Sequence, residues 1–82
     1  AIGRARAEVT ALRVRLARGR TLLATTDAVT AKTLTAYREG ASTLPAVLQA
    51  QRAARDAYGQ FADDVVAAAA AVAALRLALA EP

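Results

Sequence analysis

The stretch Tyr37-Arg38-Glu39-Gly40-Ala41-Ser42-Thr43-Leu44-Pro45-Ala46-Val47-Leu48-Gln49-Ala50-Gln51-Arg52 decides how the rest of the chain is read. Long helix-forming sequence lies on both sides of it. Gly40 has no Cβ, so it can take the left-handed conformation that closes a helix. Ser42 or Thr43 can accept a hydrogen bond from the free N–H groups that open the next helix. Pro45 then falls in a first turn, where its missing N–H costs little. The order helix, stop, tight turn, helix predicts a hairpin with this stretch at its tip.

Working outward, the composition limits what such a hairpin can be. The 82 residues are 56% hydrophobic but only 4% aromatic, and much of the remainder is alanine. Alanine favours helix strongly and buries little area per residue. Long, closely packed helices that lean on neighbours suit this composition better than a wide core. The chain lacks cysteine and histidine, which removes disulfides, thiolate metal sites and the usual general base. Enzymatic activity, a cofactor and a metal site are therefore not expected.

The net charge of +4 is unevenly placed. Residues 1–41 carry eight basic and three acidic side chains, whereas residues 42–82 carry three basic and four acidic. Arginines near the start of the chain raise nucleic acid or anionic lipid as partners. Spread around a helix, however, they read first as a solvated face. The run from Val65 to Leu75 is apolar but short of the ~20 residues a membrane span needs, and Arg76 follows it directly.

Apolar or small residues before the tip recur at Ile2, Ala5, Val9, Leu12, Leu16, Gly19, Leu23, Thr26, Thr30, Thr33 and Tyr37. After the tip the expected seam is Leu44, Val47, Gln51, Ala54, Tyr58, Phe61, Val65, Ala68, Val72, Leu75 and Leu79. Steps of three and four are the heptad spacing of a coiled coil. The expected fold is all-α: an antiparallel two-helix coiled-coil hairpin, about 2–39 and 43–80, with a tight turn at 40–42.

Facing residues in such a hairpin should have positions that add to a constant. The total is 81 for Tyr37 with Leu44, Leu23 with Tyr58, Val9 with Val72 and Ile2 with Leu79. It is 80 for Gly19 with Phe61 and Leu12 with Ala68. Several layers set large against small, as a narrow interface requires. Thr30 opposite Gln51 is expected as a polar layer. Gly59, beside the seam, suggests close approach of another helix. Leu22, Leu34, Val14 and Val66 lie off the seam and predict self-association. Asp56, Asp63 and Asp64 are expected as solvated surface, Tyr58 and Phe61 as core, and Tyr37 as a tip aromatic.

Tyr37-Arg38-Glu39-Gly40 followed by Val47-Leu48-Gln49-Ala50-Gln51-Arg52 resembles the Y-x-x-G…(V)-L-(D)-A-Q-R signature of TolC-like bacterial outer-membrane efflux proteins, nearest in form to the heavy-metal efflux branch. Leu75-Arg76-Leu77-Ala78-Leu79-Ala80 is similar to the L-Y-R-A-L-G that closes the corresponding helix. The likeness covers residues 37–80, and residues 1–36 fit the preceding long helix by pattern.

The resemblance implies a trimeric channel with a β-barrel in the outer membrane and an α-helical tunnel through the periplasm. Residues 1–82 would be the second periplasmic hairpin, a fragment of that larger protein. Tyr37, Arg38, Gly40, Ala41, Ser42 and Thr43 would then form a tip that docks the membrane-fusion (adaptor) protein of a tripartite pump. Ala46 and Gln49 would border the tunnel entrance. The acidic ring that some members carry there has no counterpart at these two neutral positions. Self-association is expected as a homotrimer in the full-length channel and as a dimer or bundle for the hairpin alone. A basic hairpin binding nucleic acid and a generic coiled-coil assembly module are the alternatives, with no nucleic acid expected on the leading reading.

Overall fold

The computed structural model of the chain describes residues 2–80. Helix α1 spans Ile2–Arg38 and helix α2 spans Leu44–Ala80, folded back on each other in one antiparallel hairpin. Each helix has 37 residues, about 55 Å at 1.5 Å per residue, and the molecule measures 66 × 14 × 12 Å. It is a rod two helices wide.

The tip closes as its residues dictate. Gly40 has a φ of +78°, in the left-handed region. The Ala41 N–H donates to the Ala36 carbonyl at 2.8 Å, and the Gly40 N–H donates to the Tyr37 carbonyl at 3.0 Å. This pair of bonds is the Schellman motif, which satisfies the last carbonyls of α1. Of the two expected caps, Thr43 is the one used. Its Oγ1 accepts from the Ala46 N–H at 3.3 Å, and its carbonyl accepts the first α2 bond from Val47. Pro45 sits inside the first turn, where an N–H would have had no helical partner.

The register is that of a hairpin pivoting on the tip, but half of the α2 seam lies one residue earlier than the spacing suggests. Val47, Ala54, Phe61, Ala68 and Leu75 are buried or half-buried as expected. Between them the seam is completed by Ala50, Ala57, Asp64, Ala71 and Ala78. Gln51, Tyr58, Val65 and Leu79 are exposed, and Val72 is half-buried at the edge. Three contacts anchor this arrangement: Gly19 against the Phe61 ring, Thr30 Oγ1 with the Ala50 carbonyl at 3.3 Å, and the cluster of Val9, Leu12 and Ala71. Facing positions add to 80 in the layers these contacts fix: Gly19 with Phe61, Thr30 with Ala50 and Val9 with Ala71.

The physical reason is the spacing that Gly19 and Phe61 impose. A Cβ on Gly19 would come within 2.8 Å of the Phe61 ring, so the ring packs directly on the α1 backbone and that layer holds one large side chain against none. Layers pairing Leu23 with Tyr58, or Val9 with Val72, would force the axes apart at the adjacent turns. The register sets Leu23 opposite Ala57 and Val9 opposite Ala71 instead. Most layers therefore set a larger member against a small one, with Leu16–Asp64 and Thr33–Val47 as the more even pairs.

Thr30 consequently meets the backbone of Ala50, and Gln51 faces solvent. In the threonine-rich half of α1 the hydroxyls find partners on the helix's own backbone. Thr21, Thr25, Thr30 and Thr33 each donate to the carbonyl four residues back, at 2.7–3.2 Å. Gly59 lies in open space on the outer side of α2, and no helix approaches it. Tyr37 and Leu44, expected to pair at the tip end of the seam, are both exposed.

Candidate docking site at the hairpin tip

The tip presents a short, rigid and uncommitted surface. Tyr37, Arg38, Gly40, Ala41 and Thr43 are exposed, whereas Ser42 is half-buried. The two capping systems hold the backbone between residues 36 and 47 with hydrogen bonds of its own, so a partner would meet a fixed shape. Tyr37 offers a ring and a hydroxyl with no intramolecular bond among the described residues. Arg38 is likewise free of an ion pair among them. A shallow depression over Ala31, Lys32, Thr35, Ala36 and Glu39 adjoins the tip on α1. Of the two positions the resemblance would put at a tunnel entrance, Gln49 is exposed and Ala46 is half-buried, with its N–H already bound to Thr43.

Among the described residues no three His, Cys, Asp or Glu side chains gather as a metal site. No helix among the described residues is long and apolar enough to cross a membrane.

Two polar groups along the rod depart from expectation. Asp64 is one of the most buried residues in the molecule, at 4% exposure. It accepts a hydrogen bond from Gln60 Nε2 at 3.1 Å and pairs with Arg15 Nη1 at 3.6 Å, the arginine itself being 62% exposed. Asp64 falls in the alanine row because that row, and not the one containing Val65, faces α1. Alanines at 57, 71 and 78, spaced by sevens through position 64, were the signal in the sequence. Tyr58, expected as core, instead lies half-exposed and donates to Asp27 Oδ2 at 2.8 Å across the hairpin's flank. That hydrogen bond, and secondarily the Asp27 charge, raises the Tyr58 phenol above its usual value of 10.

The remaining surface is rich in apolar side chains. Leu22 and Val14 on α1 and Val66 on α2 are exposed as the sequence suggests, and Val29 and Leu77 join them. Leu34, expected among these, is half-buried at the margin of the seam. The chain exposes 6033 Å², against about 4,600 Å² for a compact monomer of this size. Compared with known proteins, the chain matches no family model, no curated protein and no solved structure.

Proposed function

We propose that the hairpin is a periplasmic arm of a TolC-like, trimeric outer-membrane efflux channel, and that its tip docks the adaptor protein of a tripartite pump. The observation that carries this function is the tip itself: a doubly capped turn that holds Tyr37, Arg38, Gly40 and Ala41 outward at the end of a 66 Å rod. The Tyr-Arg-Glu-Gly and Val-Leu-Gln-Ala-Gln-Arg resemblance supplies the family, and the apolar flanks supply a reason for the arm to pack among others. In this role the long seam is a stiff spacer. The docking chemistry is a small patch of aromatic, guanidinium and backbone groups, with no acidic filter at Ala46 or Gln49.

Tyr37→Ala combined with Arg38→Glu tests the role in the full-length channel. Adaptor affinity measured by surface plasmon resonance should fall at least tenfold while trimer assembly is unchanged. Affinity that survives both substitutions would remove the tip as the docking surface.

A further inference from the structure

Far from the tip, toward the open end of the hairpin, the two helices border a groove of about 450 Å³. Val9, Leu16, Ala68 and Val72 line it, and Arg13 and Arg76 stand beside them. Neither arginine has a carboxylate partner among the described residues. The heptad repeat extends the pattern along this flank. Arg6 and Arg20 lie seven residues either side of Arg13, and Arg55 lies three heptads before Arg76. The acid in these rows is Asp27, and Tyr58 already occupies it with a hydrogen bond. The flank therefore combines an apolar furrow with arginines on both of its edges.

We propose that this groove binds an acidic amphipathic helix, laid along the hairpin as the third member of a three-helix bundle. Its apolar stripe would cover Val9, Leu16 and Val72. Its flanking carboxylates would meet the guanidinium groups, whose planar donors suit two-point binding of a carboxylate. A second copy of this chain fits less well. The groove face of a second copy would bring arginine onto arginine, and its opposite face mixes Arg4, Arg18 and Lys32 with Glu8, Asp56 and Asp63. Nucleic acid would satisfy the arginines but leave the apolar furrow uncovered, and the Asp27 carboxylate bonded to Tyr58 would sit against its phosphates. The surface is separate from the tip, so its occupancy stands or falls independently of adaptor docking.

The test uses three labelled synthetic peptides of three heptads each, titrated with the full chain by fluorescence anisotropy at physiological salt. One has a leucine/alanine seam with glutamate flanks, one the same seam with lysine flanks, and one the glutamate composition with its seam scrambled. The first should bind at least tenfold more tightly than either of the others. Arg13→Glu with Arg76→Glu should weaken it at least tenfold and improve the lysine peptide, with the circular dichroism of the hairpin unchanged. Arg13→Gln with Arg76→Gln, which adds no new charge, should give an intermediate loss. Equal binding of glutamate- and lysine-flanked peptides would overturn the proposal. So would equal binding of the scrambled peptide, a duplex DNA that competes as well as the first peptide, or a hairpin dimer in sedimentation that the first peptide fails to dissociate.

Discussion

Gly19 and Gly59 show how differently one residue type can be used. Gly19 admits the Phe61 ring, whereas Gly59 faces open space in a helical conformation. Gly59→Ala should stabilise the hairpin by about 1 kcal/mol through helix propensity alone. Gly19→Ala gains the same propensity but drives a Cβ into the ring, and urea denaturation should show it to be at least about 1 kcal/mol less stable than Gly59→Ala. Because Phe61 is half-buried, Phe61→Ala should cost about 2 kcal/mol, below the ~3–5 of a fully enclosed ring. Asp64 invites the opposite contrast. Asp64→Ala continues the alanine row and frees an exposed Arg15, so it should be neutral or stabilising by about 1 kcal/mol. Arg15→Ala strands the buried carboxylate with only Gln60 beside it and should be destabilising by about 1–2 kcal/mol.

Tyr58 adds a dependence on pH. Its proton is held more tightly in the folded state than in the unfolded chain, so the stability it contributes is present below pH ~10 and lost as pH rises through its raised value. The melting temperature of the native hairpin should therefore fall above pH 10 more steeply than that of Tyr58→Phe. Parallel curves would mean that the bond to Asp27 is not maintained in solution.

At the scale of the element, the tip was the most legible part of the chain. Gly40, Thr43 and Pro45 have conformational requirements so specific that they name their positions, and the structure adds only that Thr43, not Ser42, is the cap. Thr43→Ala should cost about 1 kcal/mol of thermal stability. The α1 seam was legible because Val9, Leu12, Leu16 and Leu23 keep the heptad step and no row beside them repeats it with large residues. The α2 seam was half legible. Its alanine row and its Tyr58–Val65–Val72–Leu79 row are adjacent, and the eye is drawn to the larger side chains. Packing chose the smaller ones because the Gly19–Phe61 layer sets one large side chain against none, and layers at a similar spacing take one large residue each. Asp64 was missed through the same one-residue step. The arginine-edged groove was not legible either, since it exists only once two rows on different helices are brought together.

At the scale of the whole molecule, the hairpin is well specified internally and incomplete externally. Among the described residues no large side chain is fully buried, and large apolar groups on both helices remain exposed. Such a rod is suited to a place among other helices, with its end free to work. The central claim, adaptor docking through that end, is tested most directly by site-specific crosslinking in the full-length channel. A cysteine at Ala41, exposed at the tip, is compared with one at Gly59, exposed in the middle of the rod. Docking through the tip predicts that Ala41→Cys captures an adaptor hairpin and that Gly59→Cys does not. Capture at Gly59 alone, or at neither position in an intact and active pump, would contradict it.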